Sequence, residues 1–217
     1  MSKKAVILDL DGTLVNSLPD ISAAMNRSLT AAGLPVHPQE AYCYMVGNGV
    51  FNLAFKAVGE RTDLLDRVRD AYMKDYALNC RENSYAYPGM TETMLVLARS
   101  GLKLCVFSNK DQADTESVIR YYYPDIPFSC VRGRRDGIPL KPDPAGALLI
   151  AAELGVSPAD CWYVGDTATD MRCGNSAGME TIGVLWGFRT LKELTDNNAS
   201  HIAGSVDELP VIMGVRA

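Results

Sequence analysis

Ala5-Val6-Ile7-Leu8-Asp9-Leu10-Asp11-Gly12-Thr13-Leu14-Val15-Asn16-Ser17 decides how the rest of the chain is read. A continuous apolar run of strand length, closed by a turn signal, fits a strand buried on both faces of a parallel sheet. In open α/β sheets ligands gather at the carboxyl ends of the strands, where this run places Asp9 and Asp11. Side chains alternate along a strand, so a strand continuing regularly through Asp11 would point both carboxylates the same way. Two acids on one side, with no basic neighbour in the segment, call for a cation, and oxygen ligands suit a hard ion such as Mg²⁺. A strand that simply ends in an Asp-Gly turn accounts for the segment equally well. The remainder of the chain has to decide.

Beyond Pro88-Gly89, strands and helices alternate. Thr91 to Ser100 has helical spacing, and Leu102 to Phe107 is an apolar strand ending in Ser108-Asn109-Lys110. A helix over Asp114 to Tyr122 follows, then a short strand from Phe128 to Arg132 and a polar loop from Gly133 to Lys141. Pro144 to Leu154 is helix, and Cys161 to Val164 is a strand opening into Gly165-Asp166-Thr167-Ala168-Thr169-Asp170. Met171 to Ala177 is helix, and Glu180 to Leu185 reads as the last strand. This alternation predicts a parallel sheet covered on both faces. Between the first strand and Tyr87 the pattern is different. Ile21, Met25 and Leu29 recur four apart, Gly33-Leu34-Pro35 is a stop, and helical spacing continues over Tyr42 to Val58 and Leu64 to Leu78. No strand pattern competes there, so Leu18 to Tyr87 predicts a unit of three or four helices inserted after the first strand.

The 217 residues, 47% hydrophobic and 22% charged, can build a substantial core. A formal net charge of -5 removes the basic footprint that nucleic-acid binding requires. No apolar run reaches the ~20 residues that span a bilayer, and Met1-Ser2-Lys3-Lys4 runs straight into a strand too short for a secretory signal. Six cysteines without a Cys-x-x-Cys pair argue against a zinc site or a disulfide framework, and a reducing cytoplasmic compartment is expected. His37 and His201, far apart and without motif context, read as surface or loop histidines.

Four strand ends now offer polar groups: Asp9 and Asp11, Ser108 and Asn109, Lys141 after its loop, and Asp166 with Asp170. In a parallel sheet these ends can converge on one edge. Together they supply a carboxylate nucleophile, a second carboxylate, a hydroxyl donor, a cation and acidic metal ligands, which is what phosphoryl transfer needs. Each piece alone is also an ordinary turn, cap or solvated loop residue.

Taken together, Asp9-Leu10-Asp11-Gly12-Thr13, Ser108-Asn109, Lys141-Pro142 and Gly165-Asp166-Thr167-Ala168-Thr169-Asp170 resemble the four motifs of the haloacid dehalogenase superfamily. The resemblance covers the whole chain. It implies an α/β fold with a Rossmann-like catalytic core, residues 1–17 and 88–217, and an inserted helical cap, residues 18–87. It implies that Asp9 is the nucleophile and Asp11 the general acid/base. Ser108 and the backbone N–H of Asn109 would hold phosphoryl oxygens, and Lys141 would neutralise charge. Mg²⁺ would be held by Asp9, the backbone carbonyl of Asp11 and Asp166, with Asp170 orienting a water on the metal. The cap would open and close about the linkers near Ser17 and Pro88.

Within that superfamily the chain is most similar to phosphoglycolate phosphatases, through Asp11 to Ser17, Val46-Gly47-Asn48-Gly49, Ser108-Asn109-Lys110, Ser176-Ala177-Gly178-Met179 and Gly183-Val184-Leu185-Trp186-Gly187. Pyrophosphatases and sugar-phosphate phosphatases share much of this. The expected partner is a small phosphorylated metabolite, with no nucleic acid or membrane, for a monomer or homodimer. The basic loop Arg132-Gly133-Arg134-Arg135 departs from the expected pattern, and Arg134 or Arg135 is a candidate for a substrate anion, as a guanidinium fork suits carboxylate or phosphate. Three enzymatic rivals share the fold: a mutase of the β-phosphoglucomutase kind, a dehalogenase, which has no need of Asp11, and a phosphonatase, which would need a cap lysine such as Lys56. The remaining rival is a non-catalytic phospho-ligand binder.

Overall fold

A computed structural model describes residues 3–215. In chain order the elements are β1 (Ala5–Leu8), β2 (Val15–Asn16), α1 (Leu18–Ala31), α2 (Gln39–Tyr42), α3 (Gly49–Val58), α4 (Leu65–Asn79), β3 (Tyr85–Ala86), α5 (Met90–Arg99) and β4 (Lys103–Asp111). There follow α6 (Gln112–Tyr122), β5 (Phe128–Arg134), α7 (Ala145–Leu154), β6 (Cys161–Gly165), α8 (Ala168–Ser176), β7 (Glu180–Val184), α9 (Leu191–Asp196), β8 (His201–Ala203) and α10 (Glu208–Ile212).

The main sheet is wholly parallel in the order β5-β4-β1-β6-β7-β8. β1 is central and buried along its length, which is why Ala-Val-Ile-Leu is apolar at every position. Its alternate side chains enter two different cores. Val6 and Leu8 join Val106, Val164, Met90 and Met94 on the face covered by α5, while Ala5 and Ile7 join Phe107, Tyr163, Ile150 and Cys173 on the face covered by α7 and α8. Gly146 brings α7 within reach of β4, since a Cβ there would stand 2.2 Å from the Phe107 ring. From β1 the chain builds outward through β4 and β5, then crosses back to β6, β7 and β8 on the other side. The strand order therefore reverses at β1, and the crevice at its carboxyl end is where such sheets bind ligands.

Between β2 and β3 lies the helical insertion. Leu18, Ile21, Met25 and Leu29 of α1 are buried, and α1 packs along α4 through Val68, Tyr72 and Tyr76. The buried Asp20 carboxylate accepts the backbone N–H groups of Asn83 and Ser84, at 2.9 Å for each shorter contact, so α1 also anchors the returning segment. Two expectations need correction. The stretch from Leu18 to Tyr87 is not purely helical: Tyr85–Ala86 pairs antiparallel with Val15–Asn16, so a two-stranded ribbon carries the chain out and back. Glu180–Val184 is not the last strand, because His201–Ala203 adds parallel to it at the sheet edge. His201 thus lies in a strand, its ring 2.7 Å from Glu180, and His37 is half-buried against the Ala57 carbonyl. Among the described residues no helix is long and apolar enough to cross a membrane.

Candidate active site

Beyond Leu8 the backbone makes one more sheet contact, Asp9 N–H to the Val164 carbonyl at 2.9 Å, and then turns. The turn is tight: Leu14 and Val15 both donate to the Leu10 carbonyl, and Gly12 donates to that of Val15. The strand therefore does not run on through Asp11, and the two carboxylates of the opening motif part company. Asp9 faces Asp166 and Asp170, whose ligating oxygens all lie within 4.8 Å of one another. The Asp11 carboxylate instead accepts the Ser17 hydroxyl at 2.5 Å and pairs with the Lys110 ammonium at 2.9 Å.

Three strand ends and the turn before α7 position this group. Lys141, only 2% exposed, spends its three ammonium donors on Asp9 (2.7 Å), Asp170 (2.8 Å) and the Phe107 carbonyl (3.1 Å). Its backbone is held by Asn109, whose side chain accepts the Lys141 N–H at 2.9 Å and donates to the Lys141 carbonyl at 3.1 Å. The pairing of β4 with β5 shifts register between Phe107 and Asp111, so Ser108-Asn109-Lys110 leave the ladder at the site. Asp166 accepts the Phe188 N–H at 2.8 Å and the Thr13 hydroxyl at 3.3 Å. Asp170 forms a reciprocal capping box with Thr167 at the start of α8, which begins at Ala168 rather than at Met171 as the sequence predicts. Gly12 has φ +86°, and a Cβ there would stand 2.3 Å from the Asp166 carboxylate. Only glycine permits both the turn and the approach.

Three buried carboxylates share one lysine. Burial, with the charge of Asp170 adding to it, raises the Asp9 carboxyl well above its usual range against the pull of Lys141. Burial and Asp170 push Asp166 up to about 7. For Lys141, burial would lower the ammonium, but Asp170 and Asp9 outweigh it and raise it. An excess of buried negative charge built from hard oxygen donors fits a divalent cation such as Mg²⁺.

The helical insertion contributes the opposite wall. The Asn109 side chain donates to the Gly47 carbonyl at 2.9 Å, and the Thr169 hydroxyl to Asn48 at 3.2 Å. Arg189, after β7, donates to the carbonyls of Cys43 and Val46 and lies over the Tyr44 ring. Sequence reasoning assigned no role to Lys110 or Arg189. Lys110 sat inside a quoted motif, but the target of its charge is a tertiary matter, and no local pattern marks Arg189. The candidate anion ligands of the basic loop are engaged elsewhere: Arg134 pairs with Asp111 at 2.5 Å and Arg135 donates to Gln112 at 3.0 Å. Neither lines the cleft beside Asp9 and Asp11, nor does Lys56, whose ammonium donates to the Tyr44 carbonyl.

The parallel sheet thus reverses order at a central strand whose end carries a cluster of acidic groups and a lysine, with a helical insertion over them. The family of haloacid dehalogenase-like hydrolases matches residues 6–184, and the chain belongs to it. It is an enzyme similar over nearly its whole length to phosphoglycolate phosphatases. That of Mannheimia succiniciproducens is 30% identical, with 92% of this chain and 93% of the relative aligned. That of Haemophilus influenzae strain Rd is 29% identical, with 97% and 98% aligned. A solved structure from Lactobacillus delbrueckii subsp. bulgaricus superposes with a TM-score of 0.92 at 26% identity, covering 98% of this chain and 99% of that one.

Proposed function

We propose that this chain hydrolyses phosphate monoesters of small metabolites through an aspartyl-phosphate on Asp9, with Mg²⁺ as cofactor. The observation that carries the reading is the buried Asp9 carboxylate, gripped by Lys141 at the carboxyl end of the central strand beside Asp166 and Asp170. The lysine holds the nucleophile's orientation and offsets the charge of an arriving phosphoryl group. Asp9 forms the new O–P bond as the ester P–O bond breaks. Asp11, poised on a separate turn with Ser17 and Lys110, gives its proton to the leaving alkoxide. It then takes a proton from the water that cleaves the aspartyl-phosphate, which regenerates the Asp9 carboxylate and the Asp11 acid. The Ser108 hydroxyl and the Asn109 N–H hold phosphoryl oxygens. Asp9, Asp166 and the Asp11 backbone carbonyl would hold Mg²⁺, and Asp170 stands close enough to contribute or to orient the other groups. When bound, the ion supplies positive charge against the phosphoryl oxygens.

Residues 18–87 act in this reading as a cap on the core formed by 1–17 and 88–217, crossing on the β2–β3 ribbon. Phosphoglycolate is the substrate for which the relatives are named, and it belongs in the first assay beside pyrophosphate, sugar phosphates and nucleotides. Inorganic phosphate release is measured with and without Mg²⁺, for the parent and for Asp9→Asn. Mg²⁺-dependent release that falls at least about a thousandfold in the variant is expected. A sugar phosphate isomerised without phosphate release would replace hydrolysis by a mutase reaction. Full activity in Asp9→Asn would refute the covalent route.

A further inference from the structure

Between the insertion and the strand ends lies a cleft, bounded on the core side by Asp9, Asp11, Ser108, Asn109 and Lys141. Whatever alcohol the phosphoryl group leaves behind must occupy the rest of it. On the insertion side that space is lined by Ile21, Val46, Val50, Leu53, Tyr72 and Met73. Among the described residues, no arginine or histidine lines it, and its two cations are both engaged. Lys141 has no free donor, as shown above. Lys110 is 7% exposed, pairs with Asp11 at 2.9 Å, donates to the Tyr76 hydroxyl at 2.9 Å, and lies 4.6 Å from the centre of the Tyr76 ring.

We infer that this cleft selects phosphate esters whose leaving group is uncharged and apolar or aromatic, in preference to carboxylate-bearing esters such as 2-phosphoglycolate. The inference rests on the phosphatase reading and narrows its substrate class. A carboxylate entering the cleft would give up its hydration to an apolar wall, at a cost that only a paired cation repays. It would also stand near Asp11 and Asp114, which line the same space. Lys110 already offsets the charge of Asp11, so it would have to serve two carboxylates at once. An alkyl or aryl group, by contrast, gains from the wall: Tyr72 and Tyr76 lie stacked with centroids 5.3 Å apart and offer an aromatic surface. The half-buried Asp114 carboxyl is itself raised by desolvation, although Lys110 opposes the shift.

The test is kcat/KM for ethyl, butyl and benzyl phosphate and for 2-phosphoglycolate, all at saturating Mg²⁺. These are unactivated primary-alcohol esters, so leaving-group reactivity differs little. From ethyl to butyl phosphate the constant is expected to rise roughly fourfold per methylene, the equivalent of ~0.8 kcal/mol for each buried CH₂. Benzyl phosphate is expected to exceed 2-phosphoglycolate at least tenfold. Met73→Lys, which puts a free cation on the wall from a partly exposed position, should shift the ratio toward 2-phosphoglycolate by about tenfold. A flat ladder, or a parent enzyme that prefers 2-phosphoglycolate, overturns the inference while leaving the phosphatase reading intact. No phosphate release from any ester overturns both.

Discussion

Removing the charge of Asp166 should stabilise the metal-free protein while destroying its response to Mg²⁺. The Asp166 carboxyl is fully buried and raised from the usual 3.8 to about 7, by burial first and by Asp170 second. In the unfolded chain it ionises near pH 4, so between there and pH 7 folding takes up a proton. Stability therefore falls as pH rises through that window, by up to ~1.36 kcal/mol per pH unit, and levels off above the folded value. At about pH 8 the ionised carboxylate costs on the order of 4 kcal/mol, and at about pH 5 well under half of that. Asp166→Asn removes that cost and keeps an oxygen for the Phe188 N–H, while re-pairing Thr13 gives back about 1 kcal/mol. The variant should thus be roughly 3 kcal/mol more stable than the parent at pH 8 in EDTA, a rise in Tm of roughly 6–12 °C for a chain of this size. The gap should nearly close at pH 5. Adding Mg²⁺ should raise the Tm of the parent, because a ligand bound only to the native state stabilises it, and should leave the variant unmoved. Melts followed by circular dichroism at the two pH values, with and without Mg²⁺, give all four numbers. A variant less stable than the parent at pH 8 in EDTA, or a gap that ignores pH, would refute the electrostatic account of this cluster.

Two further substitutions test other parts of the site. Gly12→Ala places a methyl group 2.3 Å from the Asp166 carboxylate at a backbone φ of +86°, so phosphate release should drop by about a hundredfold or more, which a steady-state assay will read. Arg189→Ala releases the Cys43 and Val46 carbonyls and uncovers Tyr44. If those contacts hold the insertion over the cleft, Michaelis plots will show KM rising severalfold with kcat changed less, and the melt will lose about 1–2 kcal/mol.

Much of the architecture is a local property and can be read from the chain. Ala5–Leu8 is apolar without alternation because β1 has sheet neighbours on both edges and helices on both faces, and burial on all sides leaves that signature. Ile21, Met25 and Leu29 recur on one helical face because α1 packs on α4. Asp9, Ser108 and Asp166 stand at or near strand ends, and a parallel sheet gathers such ends on one edge, so their convergence follows from element order, whereas Lys141, in the turn before α7, is brought in by Asn109. What required the tertiary structure was the pairing of charges across that edge. The turn after Leu8 sends Asp11 to Lys110 and leaves Asp9 with Asp166 and Asp170, because a single change in backbone direction outweighs strand alternation. Arg134, which the sequence puts in a loop, is the last residue of β5 and is taken up by Asp111 on the neighbouring strand. Arg189 reaches Cys43 across 146 residues, and β8 is three residues at an edge, too short to carry a period. Local periodicity records which side of an element is buried; which charge meets which is set by where the elements cross, and no window of sequence contains that crossing.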